Sequence, residues 1–504
     1  MRSNGPRVYS LLNFVLRMGF APNTAALILL AADLLALITI PSVLLRRRGR
    51  PLAALSWVLA VVAIPFLGVG AWWVLGRTHL HRLRRRRQES GRTFGARSLA
   101  PFEAFAEGQT SQRFAGVLPF ATSDRAWADG VLPPTEGNSV ELLVDGRETF
   151  PAMAQAIDAA RRQIHLMFYI WHTDETGRSL RDLLVRKARE GLTVRILVDA
   201  VGSPGFRGSF AAPLREAGAR VVSFLPVRFR PWAPTFNFRN HRKLLVVDGT
   251  VAFAGGTNIG NEYEKRWHDV AVRIRGPAVA QLNWIFEEDW FFAAGEDLSE
   301  DHAVGEDVRI VTRDPALVPQ DVRAACALIA SGPDRRQNRI HDAFFLAISQ
   351  ARQRVWLTTP YFIPSHAILA ALRGAAQRGV DVRILLPRHS DVRLVGLASR
   401  SYYPDLLTEG ARIFECSGAM MHSKALVIDD WLTVLGSANV DNRSFRLNFE
   451  LACFISSADL NARLGGVFAD ALKRSVEVNV DVMERRPRYL ALAESLAHLL
   501  SPLL

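Results

Sequence analysis

The chain has 504 residues and a formal net charge of +13, because 62 lysines and arginines outnumber 49 aspartates and glutamates. This excess favours an anionic partner, whether nucleic acid, anionic lipid or a phosphate-bearing substrate. Its three cysteines lie far apart without a C-x-x-C pair, which argues against a disulfide framework and against a cysteine-based zinc site.

Two apolar runs follow a mildly basic N-terminal segment, residues 1–23. The run 24–45 is interrupted only by one aspartate and one proline, and the run 51–75 has no charged residue. About 20 apolar residues suffice to cross the hydrocarbon core of a bilayer as a helix. The sequence therefore predicts a transmembrane hairpin over 24–76, with two transmembrane helices at about 24–45 and 51–75.

Arginines around the hairpin predict its orientation. Nine of them flank the two runs, three before and six after, against four in the turn between the runs. Because cytoplasmic flanks carry the larger share of lysine and arginine, both ends of the hairpin are expected in the cytoplasm. The chain is thus predicted to be a multi-pass protein of the inner (plasma) membrane, with its remaining domains facing the cytoplasm.

Beyond the hairpin, strand and helix patterns alternate in two regions. Residues 77–137 are read as a basic stretch and linker. The alternation in 138–292 and again in 336–482 is typical of an α/β fold, a mixed sheet flanked by helices. We expect two lobes over these ranges, joined by an acidic, irregular connection at 293–335. A C-terminal helix in 483–504 either covers the lobes or touches the bilayer.

One stretch of the first lobe recurs in the second lobe, 181 residues later. Residues 240–258 and 421–439 share the pattern H-x-K-x4-D-x6-G-x2-N, and a carboxylate follows each asparagine after 11 residues. The matched pairs are His241 and His422, Lys243 and Lys424, Asp248 and Asp429, Asn258 and Asn439, and Asp269 and Glu450. Two copies with matching tails are not accidental. The lobes should therefore be pseudo-symmetric, with one active site at their interface.

The repeated residue types suit chemistry at a phosphodiester. Histidine and lysine two positions apart on a strand share a face, where imidazole can attack phosphorus or move a proton and the ammonium binds a phosphate oxygen. Asn258 and Asn439 can donate to further phosphate oxygens, and Ser437 adds a hydroxyl where the first copy has glycine. Asp269 and Glu450 can hold the far nitrogen of an imidazole.

The aspartate inside each motif allows two interpretations. Asp248 and Asp429 come five residues after the lysine, at a turn that ends a strand. They either brace this turn or contact the substrate. Neither a metal ion nor a cofactor is required, because lysine and asparagine supply the positive groups that a cation would otherwise provide.

The chain resembles the phospholipase D superfamily, whose double H-x-K-x4-D motif it carries in full, and within it the bacterial cardiolipin synthases. The resemblance extends to flanking features, namely the paired N-terminal runs, Tyr169-Ile170-Trp171, Glu262-Tyr263, Thr359-Pro360-Tyr361-Phe362, Arg443-Ser444-Phe445, Asn448-Phe449-Glu450 and the terminal Leu500-Ser501-Pro502-Leu503-Leu504.

The resemblance implies a phosphatidyltransferase that forms cardiolipin and glycerol from two phosphatidylglycerol molecules. It implies His241 as the nucleophile that carries the phosphatidyl group and His422 as the acid/base. The implied catalytic set is His241, Lys243, Asp248, His422, Lys424 and Asp429. The implied partners are phosphatidylglycerol, other anionic phospholipids and the membrane, not nucleic acid. A hydrolytic phospholipase D, a transferase with another alcohol acceptor, and a scaffold without activity remain alternatives, and the oligomeric state stays open.

Overall fold

The computed structural model describes residues 22–47, 51–76, 112–121, 130–226, 238–298, 323–335 and 337–501. The chain divides into a smaller N-terminal unit and a larger unit that holds both copies of the repeat. Most of the predicted N-terminal segment and the basic stretch at 77–111 lie outside the described residues.

The two apolar runs of the N-terminal unit are helical. They form α1 (Pro22–Arg46), α2 (Pro51–Ala63), α3 (Pro65–Ala71) and a π-helical turn (Trp72–Gly76). The prediction of one continuous helix over the second run is wrong, because Pro65 lacks an amide hydrogen and Ile64 before it has a φ of −137°. The buried Trp72 packs edge-on against Trp57 and donates from Nε1 to Ser42 Oγ at 3.2 Å, so the runs fold back on each other. No described helix combines the length and the apolar content that crossing a bilayer requires.

The first half of the larger unit alternates strands and helices, as expected for an α/β lobe. Its strands are β1 (Thr135–Val144), β2 (Gln163–Phe168), β3 (Thr193–Asp199), β4 (Arg220–Phe224), β5 (Arg239–Asn240), β6 (Leu244–Val247), β7 (Val251–Gly255) and β8 (Val270–Arg275). Its helices are α4 (Asp145–Asp158), α5 (Glu175–Arg189), α6 (Ala212–Glu216), α7 (Asn261–Lys265) and α8 (Ala278–Ala294).

The second half repeats this arrangement and adds elements at its end. Its strands are β9 (Arg323–Ser331), β10 (Arg354–Thr358), β11 (Asp381–Pro387), β12 (Arg412–Cys416), β13 (Ala425–Ile428), β14 (Leu432–Gly436), β15 (Asn448–Ser456) and β16 (Ser475–Val478). Its helices are α9 (Arg339–Gln350), α10 (His366–Gln377), α11 (Arg393–Arg400), α12 (Tyr403–Leu407), α13 (Asn442–Arg446), α14 (Ala458–Leu472), α15 (Val480–Glu484) and α16 (Arg488–Leu499).

One continuous mixed sheet runs through both lobes. Its strand order is β4-β3-β2-β6-β7-β8-β1-β9-β15-β14-β13-β10-β11-β12-β16, with β5 paired to β15. The order is the same on both sides of the β1–β9 pair, so that β1 corresponds to β9, β8 to β15 and β2 to β10. A pseudo-twofold axis therefore passes between β1 and β9, which pair antiparallel.

The position of β9 corrects the predicted boundary between the lobes. Residues 323–331 belong to the range predicted as an irregular connection, but they pair with β1 on one side and with β15 on the other. Their sequence, RAACALIAS, shows no alternation of polar and apolar residues, because a central strand of this kind is buried on both faces. The second lobe therefore begins at β9 rather than at residue 336.

Residues 112–121 also depart from their predicted role as part of a linker. Phe114, Val117 and Leu118 are at most 2% exposed and pack into the hydrophobic core of the second lobe. The side chain of Gln350, at the end of α9, donates to the carbonyl of Gly116. This segment, which precedes the first lobe in the chain, is thus part of the second lobe's core.

Candidate active site

The two repeated stretches form matching β-hairpins, β6–β7 and β13–β14, and the histidine that leads into each lies at the seam between the lobes. Both histidines line one cavity of about 630 Å³. Residues of both lobes line it with them, among them Tyr169, Arg239, Asn258, Tyr263, Trp267, Tyr361, Asp391, Asn439, Asp441, Arg443 and Asn448. The structure therefore brings the two copies of the motif together.

His241 is held by the second lobe. The short strand β5 just before it pairs in parallel with the start of β15, and the His241 amide donates to the Phe449 carbonyl at 2.9 Å. Its Nδ1 lies 3.0 Å from Glu450 Oε2 and 3.0 Å from the Ser437 carbonyl oxygen. Donation from Nδ1 to these acceptors leaves the lone pair on Nε2. Burial, together with the nearby Lys243 ammonium, lowers the pKa of His241, so the imidazole is neutral at pH 7.

His422 is held in the same way by the first lobe. A parallel bridge joins Met421 to His268, and the His422 amide donates to the His268 carbonyl at 2.7 Å. Its Nδ1 lies 2.6 Å from Asp269 Oδ2. Burial and the adjacent Lys424 ammonium lower the pKa of His422 to about 3.

The carboxylates are therefore exchanged between the lobes. Asp269 of the first lobe orients His422 of the second, and Glu450 of the second lobe orients His241 of the first. The sequence predicted that each carboxylate holds an imidazole. Because the spacing is the same in both copies, it does not reveal whether Asp269 binds His241 or His422. The pairing follows from the strands that cross the seam, because each histidine is hydrogen-bonded to the backbone residue directly before the carboxylate of the opposite lobe.

Each motif lysine contacts the histidine two residues before it, and both lysines are almost fully buried. Lys243 Nζ donates to the His241 carbonyl at 2.6 Å and lies 5.4 Å from the centre of the Tyr169 ring. Lys424 Nζ lies 2.8 Å from His422 Nδ1. Burial lowers the pKa of Lys424 to about 8 and holds the pKa of Lys243 well below its usual value. Both pKa values rise again when an anion enters, because a phosphate favours the charged ammonium.

Asn258 and Asn439 line the cavity from the two lobes, as the repeat predicts. Asn258 Oδ1 accepts from the Ile170 amide at 3.1 Å, and its buried Nδ2 has no hydrogen-bond partner within the described residues. A buried, unsatisfied amide facing a cavity is a suitable donor for a phosphate oxygen. Within the described ranges, no group of three or more His, Cys, Asp or Glu side chains is placed to hold a metal ion.

Ser437 does not occupy the substrate-facing position predicted for it. Its Oγ is buried, donates to Glu450 Oε2 at 2.5 Å and accepts from the Leu451 amide at 3.0 Å. The matching residue of the first lobe is Gly256, where an added Cβ would lie 2.3 Å from Asp269 Oδ1. The two copies thus differ in what contacts the carboxylate. The Ser437 hydroxyl binds Glu450, whereas Gly256 leaves room for Asp269.

Asp248 and Asp429 brace the fold and do not contact the cavity, which corrects their inclusion in the catalytic set. Asp248 accepts backbone amides of Arg161, Arg162 and Gln163 at 2.8 to 2.9 Å. Asp429 does the same for residues 352–354 at 2.7 to 3.2 Å. Both aspartates adopt left-handed φ angles, 53° and 48°, which aspartate tolerates better than most residues. Each carboxylate therefore fixes the turn that leads into β2 or β10.

Asp248→Asn is expected to lower the free energy of unfolding by about 1–3 kcal/mol, because an amide cannot accept from all three backbone donors. Turnover per folded molecule should stay close to that of the parent protein. Denaturant unfolding of the purified protein and active-site titration measure the two quantities. Asp429→Asn is the matched variant in the other lobe. Loss of turnover without loss of stability would instead restore a catalytic role.

Two residues contribute to the site although the repeat does not include them as functional positions. Arg242, between the motif histidine and lysine, is 1% exposed and points away from the cavity. It binds Asp289 of α8 at 2.7 Å and the Ser331 carbonyl of β9 at 3.0 Å, so it ties the first motif to the second lobe. Tyr169, which the sequence offered only as one of the flanking features of the resemblance, lines the cavity with its ring 4.8 Å from that of His241.

Comparisons with known proteins agree with this arrangement. The family model described as "Cardiolipin synthase, PLD-like domain" matches residues 153–290 and 345–472, one segment in each lobe. The cardiolipin synthase of Geobacillus sp. (strain WCH70) is 35% identical over 467 residues, which cover 90% of this chain and 89% of that protein. Cardiolipin synthase 2 of Bacillus cereus (strain ATCC 14579) is 36% identical over 470 residues, covering 90% and 87%.

Among solved structures, phosphatidylserine synthase from Haemophilus influenzae Rd KW20 matches with a TM-score of 0.54. It is 16% identical, and the match covers 73% of this chain and 95% of that one, which shows a shared fold. The family model spans both lobes, and relatives align along nine-tenths of the chain. The chain therefore belongs to the cardiolipin synthases, phosphatidyltransferases of the phospholipase D superfamily.

Proposed function

We propose that this chain condenses two phosphatidylglycerol molecules into cardiolipin and glycerol, with His241 as the nucleophile. The observation that carries the proposal is the pair of buried histidines that line one cavity, each oriented by a carboxylate of the opposite lobe. Two such imidazoles supply both a nucleophile and a proton carrier, which a two-step transfer at phosphorus requires.

In the first step, Nε2 of His241 attacks the phosphorus of the donor lipid. A phosphorus–nitrogen bond forms and the bond from phosphorus to the glycerol oxygen breaks, while His422 gives its proton to the departing alkoxide. The anionic phosphate raises the pKa of His422 on binding, which supplies that proton. Lys243, Lys424 and the amide of Asn258 stabilise the charge on the phosphoryl oxygens.

In the second step, a glycerol hydroxyl of another phosphatidylglycerol takes the place that the free glycerol has left. The now neutral His422 removes the hydroxyl proton, the oxygen attacks phosphorus, and the bond to His241 breaks. The phosphatidyl group is thus transferred to the acceptor lipid. Water in place of the lipid hydroxyl would give phosphatidic acid, and another alcohol would give a different phosphatidyl ester.

We also propose that the enzyme lies at the inner membrane, with the lobes on the cytoplasmic side. Its support is the arginine distribution around the apolar runs and the exposed leucines of α1, of which Leu27, Leu30 and Leu37 are 65%, 65% and 69% exposed. Large apolar side chains that face outward along a helix are suited to contact with lipid. Labelling of single cysteines introduced beside the lobes, in intact and in opened cells, tests the orientation.

The decisive assay gives the purified protein labelled phosphatidylglycerol in vesicles with a metal chelator. Equal amounts of cardiolipin and glycerol are expected. Phosphatidic acid as the sole lipid product would instead identify a hydrolase, and an added alcohol that captures the phosphatidyl group would identify a different acceptor. The absence of any lipid product would contradict enzymatic function.

The pH dependence of kcat/KM is expected to report Lys424. Its pKa is lowered to about 8 by burial, so the ammonium is present below pH 8 and is lost above it. Since kcat/KM reflects the free enzyme, in which His422 with its pKa of about 3 is mostly neutral, it should already decline with rising pH and should fall more steeply above about pH 8. The fall in kcat should occur at higher pH, because bound phosphate raises the pKa of the lysine. A kcat/KM that stays constant up to pH 10 would contradict this assignment.

A further inference from the structure

The C-terminal helix α16 has its polar and apolar faces in the reverse of the usual arrangement. Its inward face carries Glu494, which is 1% exposed, and Ala497, which is 2% exposed. Its outward face carries large apolar side chains, with Tyr489 76%, Leu492 61%, Leu496 55% and Leu499 72% exposed. In water such a helix would be expected to bury its leucines and expose its glutamate.

Specific polar contacts on the inward face fix this orientation. Glu494 accepts from Arg400 Nε of α11 at 3.1 Å and pairs with Arg486 Nε at 2.8 Å. Beyond it, His498 Nδ1 lies 2.8 Å from Ser401 Oγ. The leucines therefore face outward because a buried ion pair holds α16 on the second lobe.

The helix α11, against whose C-terminal end α16 packs, begins beside the catalytic cavity. Val392 and Leu394, at the start of α11, are 42% and 37% exposed, and Val392 also lines the cavity. Arginines at positions 393, 485 and 488 are exposed close to the starts of the two helices, next to exposed acids at 391 and 484. Apolar side chains with flanking arginines match the chemistry of an anionic lipid surface, with acyl chains below a layer of phosphates.

We propose that α16 and the start of α11 form a membrane-docking surface that seats the mouth of the cavity on an anionic phospholipid bilayer. Tyr489, Leu492, Leu496 and Leu499 enter the level of the headgroups and upper acyl chains, and the arginines bind lipid phosphates. A phosphatidylglycerol headgroup then enters the cavity past Val392 while its acyl chains stay in the bilayer. This part of the inference rests on the proposed function.

The first test measures docking without turnover. The native cysteines, Cys326, Cys416 and Cys453, are all buried, so a cysteine introduced at position 492 or 496 can be labelled selectively with an environment-sensitive fluorophore. The labelled full chain is reconstituted into phosphatidylglycerol-containing vesicles, with or without lipids that carry a quencher in the headgroup. Lys473→Cys is the control, because that side chain is 76% exposed on the same lobe.

Labels from Leu492→Cys and Leu496→Cys should be quenched at least about threefold more than the label at position 473. Equal quenching at all three positions overturns the proposal. A blue-shifted label that lipid quenchers do not reach also overturns it, because a second copy of the chain would then cover the surface. If wild type forms no cardiolipin while the labels are quenched, the proposed function fails and the docking surface stands.

The second test measures what docking contributes to turnover. The double variant Leu492→Glu, Leu496→Glu should lose about tenfold in kcat/KM on vesicles and keep its rate on short-chain phosphatidylglycerol dispersed as monomers. Lys473→Glu, an exposed change on the same lobe, should have a much smaller effect. An equal loss in the two variants, or an equal loss on both substrates, contradicts the proposal.

Discussion

Replacing His241 with asparagine is expected to lower cardiolipin formation by about 10⁴-fold or more, because the proposed nucleophile that carries the phosphatidyl group is lost. His422→Asn should reduce the overall reaction to a similar extent, since the departing glycerol oxygen needs a proton. Overall rates therefore do not distinguish the nucleophile from the acid.

A substrate with a better leaving group separates the two roles. Phosphatidyl-p-nitrophenol releases a stable phenolate that needs no proton. His422→Asn should release close to one equivalent of p-nitrophenol in a rapid burst and then stall with the lipid bound to His241. His241→Asn should show no burst. The opposite pattern would exchange the roles of the two histidines, and a burst in both variants would contradict a mechanism with one nucleophile.

The exchange of carboxylates between the lobes predicts the second large effect. Glu450→Gln and Asp269→Asn should each slow cardiolipin formation by about 10²–10⁴-fold, because each histidine loses the acceptor that orients it. Glu450→Gln should behave like a loss of His241 and show no burst with the p-nitrophenyl substrate. Asp269→Asn should behave like a loss of His422 and keep the burst. The reverse pattern would mean that each carboxylate serves the histidine of its own lobe.

Asp289 provides a control for burial alone. Like Asp269 and Glu450 it is fully buried, but its carboxylate binds Arg242 at 2.7 Å and Asn240 at 3.1 Å. Asp289→Asn should lower thermal stability and should slow the natural and the p-nitrophenyl substrate to the same degree. Only substitution of Asp269 or Glu450, the carboxylates that contact an imidazole, is therefore expected to slow one half-reaction more than the other.

The repeat made the histidines, lysines and asparagines of the site predictable, because its spacing is the same in both copies. The strands β6 and β13 were predictable as well, because each is a short apolar run directly after the motif lysine. The partner of each carboxylate was not predictable, since Asp269 and Glu450 stand at the same distance from their own motifs. That assignment depends on which strands cross the seam, and local sequence does not encode it.

Other differences have separate physical causes. Ser437 looked like a donor to substrate because a hydroxyl beside an asparagine suits phosphate, but the buried Glu450 carboxylate is a nearer acceptor. The strand β9 was missed because its small apolar residues, buried on both faces, show no period. The break before Pro65 lies in a run whose composition alone predicted one continuous helix.

The continuous sheet has a consequence for how the enzyme exchanges lipids. The lobes are joined by the antiparallel β1–β9 pair and by the pairing of β5 with β15, so moving them apart would break backbone hydrogen bonds across the seam. Domain closure around a ligand generally needs a hinge that absorbs the motion, and this sheet provides none. We therefore expect donor, glycerol and acceptor to exchange at a cavity whose two halves stay fixed relative to each other, without opening and closing of the lobes.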